Sequence, residues 1–322
     1  MILTPEKICE EFENNNLDKH TAFDLLISLI ENSENENIRV KSIESLEKIG
    51  IFNGKTFTIL ENALISDSNG NIRNAAAKVI EKKFSNEKAL VPLKWAIKHE
   101  SNYECLVTII KTLEKINNKE AKAILIEQLK KIRKTKYLNK DKNIQNKRFK
   151  KTLKGLFRER KYEDLTHKEL SEILINYLTI HHLIEQFPNV YYELDPQTAL
   201  IKELDLSDYM EYEVKGTPWG WKNNIKKLSD INGLLNLNNL EKIDLSNNQI
   251  TNIKELIQLL NLKIVILTNN KITDLENINH LKTLLSLEYL DLRGNELAKN
   301  VKINEFNPKI RVILNDSYIK IK

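Results

Sequence analysis

The sequence predicts mixed α and α/β solenoids: an N-terminal all-α superhelix, then a solenoid built around short parallel strands. Three observations predict this. Helix-period segments recur in the first half, with Ile38 and Ile72 34 residues apart and Ile72 and Tyr103 31 apart. A leucine-and-asparagine pattern runs three times through the second half, its asparagines 22 and then 25 residues apart. Only 8 Gly and 6 Pro occur in 322 residues, which suits repeated helices and short strands and disfavours glycine-dependent phosphate loops.

Amphipathic stripes mark the first half. Leu25, Leu26, Leu29 and Ile30 form one, and Ile38, Ser42, Ile43, Leu46 and Ile49 the next. Phe57, Ile59, Leu60, Leu64 and Ile65, and later Leu90, Leu93, Trp95, Ala96 and Ile97, precede two further helices. Paired amphipathic helices of this size cannot bury their faces alone and must stack on neighbours. The segments ending at Gly50, Phe84 and Ile116 align, and two open with Asn37-Ile38-Arg39 and Asn71-Ile72-Arg73. These residues resemble the HEAT-repeat family over residues 1–135; Asn102-Tyr103-Glu104 keeps the position but lacks the arginine.

In the second half the pattern LxxLxLxxNxL reads Leu240-Ile243-Leu245-Asn248-Ile250, then Leu262-Val265-Leu267-Asn270-Ile272, then Leu287-Leu290-Leu292-Asn295-Leu297. This resembles the leucine-rich repeat family of the 22-residue, internalin-like class. The resemblance implies a short parallel strand per repeat, with the asparagine bonding backbone of neighbouring turns. Leu204-Asp205-Leu206 matches the strand core and Val312-Ile313-Leu314 a closing strand, about five strands in all. Leu228-Ser229-Asp230-Ile231 reads as the return segment after Leu206, so the first repeat carries an insertion at about 207–227. Upstream, residues 162–199 read as a cap: a helix opened by the Thr166/Glu169 capping box, then a hairpin flanking Asp195-Pro196.

The net charge of +5 conceals a belt. Residues 130–161 hold fifteen basic residues against Asp141 and Glu159, between two mildly acidic halves. Phe149, Leu153, Leu156 and Phe157 recur there at helical spacing, so 136–161 reads as a basic helical linker or a last HEAT-type helix. Its basic patch comprises Lys147, Arg148, Lys150, Lys151, Lys154, Arg158 and Arg160. It reads as a solvated connector, as a nucleic-acid contact with strong salt dependence, or as a contact for an anionic membrane or an acidic protein.

No nucleotide, hydrolase, metalloprotease or paired-cysteine motif occurs, and no cofactor or metal is expected. His181 and His182 with Glu185 are the densest cluster of metal-type residues, but adjacent helical residues point about 100° apart. Cys105 lies on an apolar stripe and reads as a small buried hydrophobe. Cys9 and Cys105 are far apart, no stretch reaches a membrane-span length, and the expected setting is cytoplasmic.

Strand alternation turns the residues beside the core leucines outward. The expected concave rows are Asp205, Asp244, Ile266, Asp291 and Ile313; Glu203, Lys242, Ile264, Tyr289 and Arg311; and Ser207, Ser246, Thr268, Arg293 and Asn315. The candidate partner-binding residues are Asp205, Asp244, Ile264, Ile266, Tyr289, Asp291 and Arg293, joined by Trp219 and Trp221 of the insertion as an anchor or as a plug on the solenoid end. Both resemblances imply a non-enzymatic scaffold or adaptor binding protein partners through the concave face and the HEAT array. Nucleic-acid association through 130–161, or regulation of a small GTPase or phosphatase, are the alternatives.

Overall fold

The computed structural model describes residues 3–134, 140–207 and 223–315, without the side chains of 140–146. The chain forms two compact units, Met1–Ile132 with Leu165–Leu174, and Arg133–Asp164 with Ile175–Lys322.

The first unit is helical. It contains α1 (Pro5–Glu13), α2 (Lys19–Asn32), α3 (Glu36–Ile49), α4 (Gly54–Ser66), α5 (Gly70–Lys83), α6 (Leu90–His99), α7 (Tyr103–Ile116) and most of α8 (Lys119–Lys134). The second helices of the pairs, α3, α5 and α7, pack side by side. Each starts on an asparagine cap, which satisfies N–H groups that no helical carbonyl can reach. Asn35 Oδ1 accepts from Asn37 and Ile38 N, Asn69 Oδ1 from Asn71 and Ile72 N, and Asn102 Oδ1 from Cys105 N. Buried Ala75, Ala76 and Ala77 let α5 lie close to its neighbours. Arg39 donates to the Ile30 carbonyl and pairs with Asp67; Arg73 grips Glu100 through two bonds of 2.7 Å and donates to the carbonyls of Asp67 and Ser68.

Two of the expected stripes shift. The buried face of α2 is Ala22, Phe23, Leu26, Ile27 and Ile30, while Leu25 and Leu29 are half-buried, because packing on α1 and α3 turns the helix by a residue. Trp95 does not join the core of α6: it is 44% exposed and stacks on His99 one turn later, with centroids 4.4 Å apart. The Thr166/Glu169 capping box forms, with reciprocal bonds of 3.1 and 2.8 Å opening α10 (His167–Gln186).

The second unit holds the basic helix α9 (Lys140–Glu159) and a six-stranded sheet. Phe149, Leu153 and Leu156 are buried, and Phe149 meets Tyr177 of α10 edge-on at 5.2 Å. The strands are β1 (Tyr191–Leu194), β2 (Ile201–Asp205), β3 (Lys242–Asp244), β4 (Ile264–Ile266), β5 (Tyr289–Asp291) and β6 (Arg311–Ile313), in that order across the sheet. β1 and β2 form the expected antiparallel hairpin; β2 to β6 are parallel. Leu204, Ile243, Val265, Leu290 and Val312 share one register row and fill the core.

Behind the strands, buried asparagines tie successive turns together. Asn270 Nδ2 donates to the carbonyls of Leu245 and Leu267 while its Oδ1 accepts from Ile250 N. Asn248 and Asn295 repeat the arrangement, accepting from Ile225 N and Ile272 N. Asn247, Asn269 and Gly294 follow one another at the preceding position, all at positive φ. A Cβ on Gly294 would collide with Asn269 Oδ1, so the tightest of these positions takes the residue without one. The three extra residues between Leu267 and Leu292 are accommodated by the short helix α11 (Glu276–Lys282), where the turn before has 3-10 structure at Lys254–Gln258.

One expected register is corrected. The return after the first parallel strand begins at Asn223, not at Leu228. Asn223 Nδ2 donates to the Leu206 carbonyl at 2.9 Å, and Ile225 N donates to Asn248 as Ile250 N does to Asn270. Leu228 thus occupies the position of Ile253. A matching apolar residue three places along made the two registers look alike.

Candidate functional site

The register places the expected rows side by side. Asp205, Asp244, Ile266, Asp291 and Ile313 align across β2 to β6, and Glu203, Lys242, Ile264, Tyr289 and Arg311 form the adjacent row. Their chemistry is graded along the sheet. At β2–β3 it is carboxylate-rich, with Lys242 paired to Glu203 at 3.3 Å. At β4 it is apolar, through half-buried Ile264 and Ile266. At β5–β6 it is aromatic and cationic, with the Arg311 guanidinium 5.8 Å from the Tyr289 ring centre.

The aspartates also hold the strand ends. Each accepts from the backbone N–H two residues on: Asp205 from Ser207 at 2.8 Å, Asp244 from Ser246 at 2.9 Å and Asp291 from Arg293 at 3.1 Å. Asp244 also accepts from the Ser246 hydroxyl, yet burial, aided by the nearby Asp205 charge, raises its pKa above the usual range. Asp291 goes the other way. Burial works against its charged form, but Arg293 donates through Nε and Nη2 and holds the carboxyl below its usual pKa. Asp291 is 2% exposed, so it is not the open partner contact the sequence suggested; its charge is already satisfied by Arg293. At the β1 edge, Pro188, Asn189, Val190, Tyr191, Asp205 and Ser207 line a recess of about 290 Å³. Trp219 and Trp221 lie outside the described residues.

The basic patch divides. Lys147, Lys151, Lys154 and Arg158 are exposed, and Lys150 and Arg160 are half-buried. Arg148 leaves the patch: it donates to the Tyr192 carbonyl and lies 4.4 Å from the Tyr191 ring centre, which fastens α9 to β1. Its sequence neighbours gave no sign of that strand.

Among the described residues, no group of three or more His, Cys, Asp or Glu is placed to hold a metal ion. His181 lies against the Tyr177 ring at 4.3 Å. Cys9 and Cys105 are free and buried, and burial pushes the Cys105 thiol well above its ordinary pKa, away from thiolate chemistry. Burial also opposes the charge of Glu100, but Arg73 and the N–H groups of Asn102 and Ser101 hold its pKa at about 2. The partners Asp67 and Glu100 were missed in the sequence, although each follows its arginine by 28 or 27 residues. Asn223 was missed because the insertion separates it from its strand. Among the described residues, no helix is long and apolar enough to cross a membrane.

Residues 57–134 match the HEAT-repeat family, a segment spanning α4 to α8. No curated protein and no solved structure matches the chain. HEAT repeats are commonly protein-interaction scaffolds.

Proposed function

We propose that this chain is a non-enzymatic scaffold that binds a protein partner on the outer face of its C-terminal sheet. In this reading the second half is a leucine-rich repeat solenoid and that face is its concave side. The observation that carries it is the aligned rows, which set a half-buried apolar centre at Ile264 and Ile266 between an acidic and an aromatic-cationic flank. Apolar centres with polar rims are the anatomy of protein interfaces. The five parallel strands and the recurrent bonds of Asn248, Asn270 and Asn295 support the repeat class. The helical repeats supply a second surface, and the free buried cysteines suit a reducing, cytoplasmic setting.

The test is affinity capture from the protein's own cells with wild type and with Ile264→Lys/Ile266→Lys and Tyr289→Ala variants. The reading expects a defined set of proteins retained by wild type and reduced at least tenfold by the double lysine variant. Unchanged far-ultraviolet circular dichroism and cooperative melting of both variants verify the fold, since half-buried Ile264, Ile266 and Tyr289 lie beside the core row and not in it. Retention of the same proteins by the lysine variant would refute the assignment of this face.

A further inference from the structure

Lysine is abundant throughout the chain, but it is not everywhere in the same state. In the helical repeats many lysines are matched across helices, as Lys82 is with Glu47 at 2.8 Å, Lys115 with Glu81 at 2.7 Å and Lys98 with Glu127 at 3.4 Å. On α9 the pattern breaks. Lys147, Lys151, Lys154 and Arg158 stand at i, i+4, i+7 and i+11, the spacing of a single helical face, and all four are exposed. Among the described residues no carboxylate pairs with any of them, and α9 itself contains only Asp141 and Glu159. At ~1.5 Å rise per residue the stripe is about 16 Å long.

Near its end a fifth cation joins. Arg133 is exposed and donates to the Tyr162 hydroxyl at 3.1 Å, a neutral partner that leaves its charge uncompensated. Tyr162 stacks on Phe157, next to Arg158, with centroids 3.9 Å apart.

The opposite face of α9 limits what the stripe can meet. Phe149, Leu153 and Leu156 are committed to the protein core, at 0%, 0% and 5% exposure. A helix that lies in a bilayer interface needs its apolar face for the lipid, so this one has none to insert. What remains is a straight, regularly spaced line of positive charge without its own counter-charges. We propose that the Lys147/Lys151/Lys154/Arg158 stripe, with Arg133, docks the sugar-phosphate backbone of a nucleic acid without reading its sequence. A phosphate backbone supplies the complementary regular line of charge, and each cation that neutralises a phosphate releases a condensed counterion.

The experiment is a salt titration of the full chain against a short mixed-sequence duplex DNA and a single-stranded RNA, read by fluorescence anisotropy. Five phosphate contacts predict a log–log salt slope of about −4.5 on duplex and about −3.5 on single strand, so affinity for duplex falls about 500-fold between ~50 and ~200 mM salt. The Lys147→Gln/Lys151→Gln/Lys154→Gln/Arg158→Gln variant should bind at least tenfold more weakly at low salt, with its slope on duplex reduced to about −0.9, the share of Arg133 alone. Glutamine is a good helix former and these positions face solvent, so unchanged far-ultraviolet circular dichroism verifies the fold. A Lys82→Gln/Lys115→Gln variant, which removes the matched lysines, should bind as wild type does. The relative affinity for duplex and single strand identifies which form the stripe prefers. No binding of either probe at low salt, wild-type binding by the quadruple variant, or equal competition by polyglutamate or by phosphatidylserine vesicles would each overturn the proposal.

Discussion

Asn270→Ala is expected to cost the sheet about 2–3 kcal/mol, because it removes three hydrogen bonds and orphans one buried N–H. The side chain is 6% exposed and closes two turns at once. Its Nδ2 donates to Leu245 O at 2.9 Å and Leu267 O at 3.0 Å, and its Oδ1 accepts from Ile250 N at 3.0 Å. Alanine leaves the Ile250 N–H buried without a partner, at about 1–3 kcal/mol, and removes one of two amide donors from each carbonyl, since Leu245 O keeps Asn248 Nδ2 at 3.1 Å and Leu267 O keeps Asn295 Nδ2 at 2.8 Å. Asn261→Ala is the matched control: it removes one bond, to the Asn238 carbonyl at 2.7 Å, at an exposed position, and should cost about 0.5 kcal/mol or less. Urea unfolding with hydrogen exchange at the Ile250 and Leu267 amides separates the two. Equal stabilities for the two variants would deny the asparagines their structural role.

The second large effect concerns acid. Glu100 has a side chain 2% exposed, gripped by Arg73 at 2.7 Å and by its own loop N–H groups. Its folded pKa is about 2 against an ordinary 4.5. A carboxyl with a lowered folded pKa stabilises the native state above its unfolded pKa and loses that contribution as pH falls through the folded value. The stabilisation is therefore complete above about pH 5, declines below 4.5, and is gone by about pH 2. Its size at neutral pH is about 3 kcal/mol. Glu100→Gln should lose most of that at pH 7 and show a flatter acid limb, its stability converging on wild type as pH falls. Arg73→Ala should cost about 3–5 kcal/mol, because it leaves the carboxylate buried without its cation. Urea midpoints followed by circular dichroism from pH 7 to pH 3 test both; parallel pH profiles for wild type and Glu100→Gln would contradict this assignment.

These two sites also show what the sequence reveals and what it conceals. The asparagines at 248, 270 and 295 were legible because one residue type performs one backbone task at nearly constant spacing, and the outward rows followed from strand alternation alone. The Asn37-Ile38-Arg39 and Asn71-Ile72-Arg73 openings were legible for a similar reason: an asparagine two places earlier caps each helix. Partners drawn from elsewhere in the chain were not. Nothing local to Arg148 announces the Tyr192 carbonyl 44 residues away, and nothing in the strand pattern says that Asp291 is spent on Arg293 while Asp244 is not. Asn223 escaped because insertions preserve chemistry but destroy spacing. Trp95 misled because a helical stripe counts hydrophobes without knowing which side has a neighbour.

Asp291 narrows the candidate face without removing it. With that carboxylate neutralised by Arg293, the groups left to meet a partner are Asp205 and Asp244 at one end, Ile264 and Ile266 in the middle, and Tyr289 with Arg311 at the other. A partner matched to this order presents a cation, then an apolar anchor, then an acid or a carbonyl.

The most direct measurement of the central claim is site-specific photo-crosslinking in the protein's own cells, with the crosslinker at Ile266 in β4 or at Lys254, exposed in the Lys254–Gln258 turn. A docking face at the sheet predicts a discrete crosslinked protein from position 266 and none of it from position 254. The same products from both positions, or none from 266, would contradict it.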